Sequence, residues 1–432
     1  MRYISTAGQS PPVSLEEALF AGPAPDGGLY LPETSEPLTD EARQRLRGQE
    51  LADTAMAVLS AVIGDDVESN VLCGVIERSL DFPMPVVAVE DRVSVLELFH
   101  GPTLSFKDVG ARFMAGLMGH YLRQDDRELT VLVATSGDTG SAIAHAFHGL
   151  SGVTVKVLFP RGRISARQQK QFTTLGGNIQ SFAVDGVFDD CQRLVRQALA
   201  DTALRRKRRL ASANSINLGR LLPQMIYYFH AVAQLPTSAQ PLVICTPSGN
   251  FGNLTAGLMA RRLGLPVSRF VAATNANDAV PAYLASGQYQ PRTSQATISN
   301  AMDVGAPSNF ARMLALYGHN LLAMQDDILG SAHTDDETRT AMADLHARTG
   351  VLLDPHATVG YLGVRAGLRV ADPKAHGLFL ATAHPAKFAE VVEPVTGEPV
   401  PLPQRLAACL DRPEQVIDMP ADYAALRDAL ES

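Results

Sequence analysis

From about residue 84 onward, short β-rich apolar runs alternate with amphipathic helical segments, and this alternation limits the possible folds more strongly than any other feature. Strands with little polar alternation are buried on both faces, as in parallel sheets covered by helices on either side. The predicted strands span residues 86–89, 93–98, 129–134, 153–158, 179–184, 242–245, 270–273 and 378–381. The predicted helices span residues 107–119, 140–149, 165–175, 188–200, 220–234 and 251–262. This order predicts an α/β fold built from doubly wound parallel sheets.

The regions on either side of this pattern have a different character. Residues 1–83 are mainly helical in pattern, and we expect a small N-terminal domain there. The candidate helix caps in that domain are Ser14, Asp40 and Asp53. Residues 84–391 carry the α/β pattern in two subdomains, the smaller around residues 110–215. Residues 392–432 are Pro-rich and then helical, and we expect this tail to pack on the α/β region.

Composition excludes several classes of function. The chain has 432 residues and a net charge of −8, which argues against a general nucleic-acid binder, because phosphate contacts need a basic surface. A basic run at residues 205–209 is most simply a solvated surface segment, with attraction of an anionic substrate as the alternative. The four cysteines are widely separated and have no metal-binding spacing. The N-terminus lacks signal-peptide features, and no apolar stretch approaches the ~20 residues that span a bilayer. We therefore expect a cytoplasmic protein without a metal or a membrane segment.

The first loop with a candidate catalytic residue is H-G-P-T-L-S-F-K-D at residues 100–108, which leads into a predicted helix. A catalytic amine needs a fixed, partly desolvated position, so that its pKa falls and the neutral amine becomes available. Lys107 follows a Gly-Pro turn at a helix start, where the helix dipole also disfavours the ammonium. The loop by itself leaves a purely structural lysine equally open.

Two further loops are suited to anions. The sequence A-T-S-G-D-T-G-S-A at residues 134–142 ends a strand and opens a helix, which predicts a site for a carboxylate or a phosphate. Ordinary helix capping by Asp138 or Thr139 is the alternative. The sequence T-P-S-G-N-F-G-N at residues 246–253 follows another strand, and its glycines let the backbone curl around an oxyanion. Neither loop has the lysine of a Walker A motif.

Together the three loops favour one class of enzyme. Pyridoxal phosphate requires a lysine for covalent attachment, a phosphate site and a partner for its pyridine nitrogen. The chain has no G-x-S-x-G motif of a hydrolase and no H-E-x-x-H motif of a metalloprotease. A dinucleotide oxidoreductase is disfavoured, because no G-x-G-x-x-G opens a βαβ unit.

At this point the sequence resembles the threonine synthase family. The similarity extends over nearly 390 residues, from Y-I-S-T at residues 3–6 and A-P-D-G-G-L-Y at residues 24–30 to A-T-A-H-P-A-K-F at residues 381–388. Between them, N-S-I-N-L-G-R at residues 214–220 and D-P-H-A-T at residues 354–358 follow the family's order. The resemblance implies a type II pyridoxal-phosphate fold of the subclass with a long N-terminal domain.

The resemblance also implies roles for single residues. Lys107 would be the catalytic lysine that binds the cofactor covalently. The cofactor's phosphate would be held by Gly249, Asn250, Phe251, Gly252 and Asn253, and its pyridine nitrogen would meet the hydroxyl of Thr382. The substrate carboxylate would be held by Thr135, Ser136 and Thr139. The substrate phosphate would be held by Asn214, Ser215 and Arg220, with the guanidinium of Arg220 offering planar bidentate donors. Asp138 stands where many relatives of the wider fold type have Asn against the cofactor's ring oxygen, so its role as a cofactor ligand stays open.

The implied reaction converts O-phospho-L-homoserine and water to L-threonine and phosphate by γ-elimination and β-addition of water. The amine of Lys107 would serve as general base at Cα. Two alternatives stay open: a phospho-lyase that releases 2-oxobutyrate from the same substrate, and a non-catalytic ligand-binding relative. The oligomeric state, monomer or homodimer, is also left open.

Overall fold

The computed structural model describes residues 1–123 and 128–431. Four residues within the predicted smaller subdomain, 124–127, and the last residue of the predicted tail lie outside the described residues. The strands are β1 (Tyr3–Ser5), β2 (Tyr30–Pro32), β3 (Val86–Glu90), β4 (Val93–Glu97), β5 (Leu129–Ala134), β6 (Val153–Pro160), β7 (Ile179–Asp185), β8 (Arg209–Ser212), β9 (Leu242–Pro247), β10 (Arg269–Thr274), β11 (Ile328–Ala332), β12 (His376–Ala381) and β13 (Val416–Pro420).

The helices of the described residues follow the same chain order. They are α1 (Leu15–Ala21), α2 (Asp40–Arg45), α3 (Leu51–Ile63), α4 (Ser69–Ser79), α5 (Lys107–Leu122), α6 (Asp138–Phe147), α7 (Ala166–Thr173), α8 (Phe188–Ala200), α9 (Thr202–Lys207), α10 (Leu218–Leu221), α11 (Gln224–Gln234), α12 (Gly252–Arg262), α13 (Ala279–Ser286), α14 (Phe310–Leu316), α15 (Leu321–Asp327), α16 (Asp335–Thr349), α17 (Pro355–Val370), α18 (Ala389–Thr396), α19 (Gln404–Leu410) and α20 (Tyr423–Glu431). Short 3-10 turns occur at Gly64–Asp66, Asn300–Met302 and Pro385–Phe388.

The larger sheet has the strand order β11-β10-β9-β12-β4-β3. Its strands are parallel except for β3, which pairs antiparallel with β4 at one edge. Successive residues of β9 enter different cores: Leu242 and Ile244 lie in the cluster shared with the N-terminal region, whereas Val243 and Cys245 pack with α17. Burial on both faces explains why this strand is a continuous apolar run.

The smaller sheet is parallel throughout and has the order β13-β7-β6-β5-β8. Along β5, Val131 and Val133 enter one cluster, and Leu132 and Ala134 enter another. The architecture is therefore the predicted α/β arrangement with two doubly wound parallel-sheet regions.

The N-terminal residues form four helices and the short antiparallel pair β1–β2. Ser14 caps α1 as predicted, in a capping box with Glu17. The predicted cap at Asp40 is wrong, because the Thr39 hydroxyl accepts the Ala42 amide 3.1 Å away and α2 already begins at Asp40. The predicted cap at Asp53 is also wrong, since that residue lies inside α3.

The tail and the basic run enter the smaller sheet. β13 pairs with β7 as a parallel edge strand, and α20 packs on α8. The basic run ends α9 and begins β8, and its Lys207 forms an ion pair with Glu431 at 3.2 Å. The tail thus completes the core of the smaller sheet.

Leu426 provides a test of this contribution to stability. Its side chain is fully buried in a cluster with Phe182 and Leu194. We expect Leu426→Ala to lower the free energy of unfolding by about 2–5 kcal/mol, because the deletion leaves a cavity. Leu322→Ala is the matched control, since Leu322 is 72% exposed and its loss should change stability by less than about 0.5 kcal/mol. Thermal melts of both variants measure the difference, and equal melting temperatures would contradict a structural role for the tail.

Candidate active site

One cavity lies where strands of both sheets end. Its volume is about 880 Å³, including its opening to solvent. The residues that follow β4, β9 and β12 of the larger sheet and β5 and β8 of the smaller sheet contribute to its lining. Ligands of open parallel sheets bind beyond the carboxyl ends of the strands, so the position is the one expected for this architecture. The predicted site residues that line the cavity are Lys107, Ser136, Asp138, Thr139, Asn214, Ser215, Arg220, Gly249, Asn250, Phe251, Gly252, Asn253 and Thr382.

Lys107 is the first residue of α5, at the end of the loop that follows β4. Burial lowers the pKa of Lys107 to about 8, although the nearby carboxylate of Asp138 acts in the opposite direction. The positive charges of Lys387 and Arg220 contribute to the lowering. The loop is held in place by Asp108, which accepts the amide of Thr103 at 2.8 Å and its hydroxyl at 2.7 Å.

In the loop after β5, one hydroxyl side chain bonds to the protein backbone and two others line the cavity. The Thr135 hydroxyl accepts the amides of Gly137 at 2.9 Å and Gly140 at 2.7 Å, and Thr135 does not line the cavity. It therefore caps the start of α6, a task that the sequence suggested for Asp138 or Thr139. Of the three predicted carboxylate ligands, Ser136 and Thr139 line the cavity.

Asp138 is engaged in a buried polar cluster that the sequence analysis did not anticipate. Its Oδ1 accepts Lys387 Nζ at 2.7 Å and Gln168 Nε2 at 2.8 Å. Burial acts to raise the pKa of Asp138, but the charges of Lys387 and Lys107 outweigh it and hold that pKa below its usual range. Asp138 is therefore ionised at neutral pH. A sequence signal for Lys387 did exist, because it follows the carboxyl end of β12 in the A-H-P-A-K-F motif.

The loop after β9 is a tight backbone cradle. Phe251 has φ 58° in the left-handed region, a costly conformation for a bulky residue. A Cβ on Gly249 would lie 2.7 Å from Met302 Cα, so only glycine fits there. The Asn253 side chain closes the loop by accepting the Ser248 hydroxyl and donating to the Pro247 carbonyl. It is thus occupied within the protein, and the free donors of this loop are backbone amides at the start of α12.

The segment after β8 brings a buried arginine to the cavity. Arg220 Nη1 donates to the Ala213 carbonyl at 2.7 Å, and its Nε has no partner among the described residues. Burial lowers the pKa of Arg220 to about 10, so the guanidinium stays charged at neutral pH. Asn214 pairs with both the amide and the carbonyl of Ala134, which fixes this segment to the end of β5. Ser215 Oγ accepts Asn250 Nδ2 at 2.5 Å.

His356 also lines the cavity, although the sequence assigned it no role. Its Nδ1 lies 2.5 Å from Asp354 Oδ2, and its Nε2 accepts the Ala301 amide at 3.1 Å. Both ring nitrogens are therefore occupied, and His356 positions the segment around Met302 that covers Gly249. Thr382 lies at the end of β12, and its hydroxyl has no protein partner among the described residues. No group of three or more His, Cys, Asp or Glu side chains within residues 1–123 and 128–431 is arranged to hold a metal ion.

Comparisons with known proteins match this geometry. A family model described as pyridoxal-phosphate dependent enzyme matches residues 88–379. Models described as threonine synthase N terminus and threonine synthase C-terminal match residues 2–80 and 362–430. The threonine synthases of Escherichia coli and Serratia marcescens are each 47% identical to the chain, covering 96% and 97% of it and 96% of each relative. The chain belongs to the threonine synthase family.

Solved structures agree with this assignment. The crystal structure of threonine synthase from Escherichia coli has a TM-score of 0.94 at 45% identity, covering 100% of this chain and 99% of that one. The threonine synthase from Brucella melitensis, described as bound to pyridoxal phosphate, has a TM-score of 0.93 at 34% identity, covering 100% and 98%. Maize serine racemase, at 15% identity and a TM-score of 0.55, shares the fold alone. The predicted type II fold, the predicted enzyme class and the pyridoxal-phosphate cofactor are thereby confirmed.

The residues present fit this cofactor. The glycine cradle offers backbone amides that can hold a phosphate group. The Thr382 hydroxyl is free to form a hydrogen bond with the pyridine nitrogen of the cofactor. Lys107 lies in the same cavity with a lowered pKa, as an amine that reacts with an aldehyde requires.

Within the described parts of the chain, no helix is long and apolar enough to cross a membrane.

The cradle can be tested by substituting one of its glycines and, as a control, a glycine outside the cavity. Gly249→Ala places a methyl group against the Met302 backbone, so we expect cofactor affinity to fall at least about tenfold, equivalent to ~1.4 kcal/mol. Gly74→Ala in α4 is the control, because Gly74 does not line the cavity and the atom nearest to its added methyl group is the guanidinium Nη1 of Arg78, 3.2 Å away. Equilibrium titration of cofactor absorbance measures both. Equal affinities in the two variants would argue against the cradle.

Proposed function

We propose that this enzyme converts O-phospho-L-homoserine and water to L-threonine and phosphate, with pyridoxal phosphate carried by Lys107. The observation that carries the proposal is the pairing of one cavity-lining lysine, Lys107, with two separate anion-binding groups in one cavity. The first group is the amide cradle after β9, suited to the cofactor phosphate. The second is Arg220 with Ser215, suited to a substrate phosphate. Membership in the threonine synthase family supports the same reaction.

When bound, pyridoxal phosphate supplies an electron sink that makes the Cα and Cβ hydrogens of an amino acid acidic. Lys107 supplies the base. Burial lowers its pKa to about 8, which makes the neutral amine more available than that of an exposed lysine. That neutral amine accepts the proton from Cα and returns it later, and its place at the start of a rigid helix keeps it within reach.

The substrate is oriented by its two charged ends. Ser136 and Thr139 offer hydroxyls and α6 offers amides to the α-carboxylate. Thr135 supports them as the cap of this helix. At the other end, Arg220 and Ser215 hold the phosphate, and Asn214 supports them by anchoring the segment to β5. Arg220 also stabilises the negative charge that develops as the C–O bond breaks and the phosphate leaves. Water that adds at Cβ enters from the open side of the cavity.

A product assay with the holoenzyme tests the reaction. Incubation with O-phospho-L-homoserine should release L-threonine and phosphate in equal amounts. A phospho-lyase would release 2-oxobutyrate, ammonia and phosphate without threonine, and a non-catalytic relative would release no product.

Lys107 is tested by chemical labelling. Borohydride reduction of the holoenzyme followed by peptide mapping should place the cofactor on Lys107. The assignment is overturned if Lys156 or Lys387 carries the label. Lys107→Ala should abolish the visible band of the bound cofactor and nearly all turnover, whereas Lys374→Ala, which removes an exposed lysine, should leave both unchanged.

Arg220 is tested by substrate discrimination. Hydrogen bonds to charged groups contribute roughly 1.5–3 kcal/mol, so Arg220→Ala should lower kcat/KM for the phosphorylated substrate by about ten- to a hundredfold or more. Any slow side reaction with serine or threonine should change much less, and the visible band should persist. Arg206→Ala is the matched control, because Arg206 is an exposed arginine of the basic run. An equal loss on both kinds of substrate would mean that Arg220 is structural.

A further inference from the structure

Lys387 carries a charge that has no exposed surface, and it does not line the cavity. It lies in the 3-10 turn after β12, in the larger sheet's half of the molecule. Its Nζ donates to Asp138 Oδ1 at 2.7 Å and to the Thr103 carbonyl at 2.8 Å. A buried ammonium is costly unless a carboxylate and hydrogen bonds compensate it, so this pair is specified by the fold rather than incidental.

Asp138 is the partner that gives Lys387 its significance. Among the described residues that line the cavity, Asp138 is the only carboxylate. It is 3% exposed and shares the cavity lining with Lys107. Both donors to Asp138, Lys387 and Gln168, meet the same oxygen, Oδ1.

A lone carboxylate beside Lys107 would act against the task proposed for that residue. Its negative charge would stabilise the ammonium form and compete for the amine as an ion-pair partner. Lys387 opposes this in two ways: it engages the carboxylate directly, and its own positive charge disfavours a second ammonium nearby. The turn that carries Lys387 is itself fixed to α7, since Arg167 Nη1 donates to the Ala386 carbonyl at 2.5 Å and the Ser165 hydroxyl donates to the Lys387 carbonyl at 3.3 Å.

We propose that Lys387 is a positioning residue that neutralises Asp138, so that this carboxylate shapes the cofactor site without capturing the amine of Lys107. The inference rests on the proposed function, in which Lys107 carries the cofactor. The A-T-A-H-P-A-K-F motif at residues 381–388 thereby has an electrostatic role through Lys387, in addition to the role of Thr382. The inference also explains why an aspartate can occupy position 138 in place of an asparagine. The negative charge of Asp138 is balanced by the positive charge of Lys387, which lies outside the cavity lining.

Other titratable groups near this cluster do not account for the same effect between pH 7 and 9. Burial lowers the pKa of His145 and of His384 to about 4, so both rings are neutral throughout this range. Burial raises the pKa of Asp108 to about 6, which leaves it ionised. Arg220 stays charged, and His356 has both ring nitrogens engaged by Asp354 and Ala301.

The test removes the charge of Lys387 and then the charge of its partner. Lys387→Met retains most of the side-chain volume, but the negative charge of Asp138 near Lys107 is then no longer balanced. We expect the acid limb of the kcat/KM profile, and the pH midpoint of the holoenzyme's visible absorption, to move upward by about one pH unit. Lys387→Gln, which retains a hydrogen-bond donor without the charge, should move both in the same direction and keeps the test available should the Met variant fail to fold.

The double variant Asp138→Asn/Lys387→Met distinguishes an electrostatic role of Lys387 from a role in packing. With both charges gone, the midpoint and the acid limb should return to within about 0.3 pH unit of the original protein, since the two contributions have opposite signs. Lys374→Met, which removes an exposed ammonium, should move neither. A double variant shifted as far as Lys387→Met, or single variants with unmoved midpoints, would overturn the proposal. Failure of the proposed function would look different, because borohydride would then label a lysine other than Lys107 in the unaltered enzyme.

Discussion

The structure depends on strands of two parallel sheets ending at one cavity. The cores on both faces of each sheet fix where β4, β9 and β12 end on one side and where β5 and β8 end on the other. Each predicted site residue lies on a loop directly after one of these strands or within the first turn of the helix that follows, and Arg220 is the third residue of α10. The site is therefore positioned by apolar packing, and its polar groups need little further support to converge.

The same packing explains which elements can be predicted from the sequence. Strands such as β5 and β9 are buried on both faces, so their apolar runs identify them. β8 escaped prediction because it begins with Arg209 at the end of a basic run, and its pairing with β5 is a tertiary effect. β13 is an exposed edge strand that contains Asp418, and its partner β7 lies more than 200 residues earlier in the chain. Local pattern contains little information on such long-range pairings.

For the site, motif position was predictable but side-chain direction was not. The sequence places Thr135, Ser136 and Thr139 in one loop, and hydroxyls in such a loop are equally suited to a ligand or to a helix cap. The choice depends on the φ and ψ angles of the loop: Gly137 has φ 132°, and the turn it permits directs the Thr135 hydroxyl to backbone amides. Asn253 is a similar case, since its side chain closes the cradle from within. Lys387 is a third case, because inspection of single residues does not reveal which buried charges are neighbours.

The distribution of charge in the cavity connects these observations. If Asp138 and Lys387 are taken together as a neutral unit, Lys107 and Arg220 remain as the positive side chains of the lining. The cradle after β9 adds backbone amides at the start of α12. In the proposed function, a cofactor phosphate and a substrate phosphate are both strongly negative, and each would bind a separate donor set: backbone amides for the cofactor and a guanidinium for the substrate. An uncompensated Asp138 would repel both anions and attract Lys107. By balancing the charge of Asp138, Lys387 would therefore favour both the binding of anions and the reactivity of the Lys107 amine.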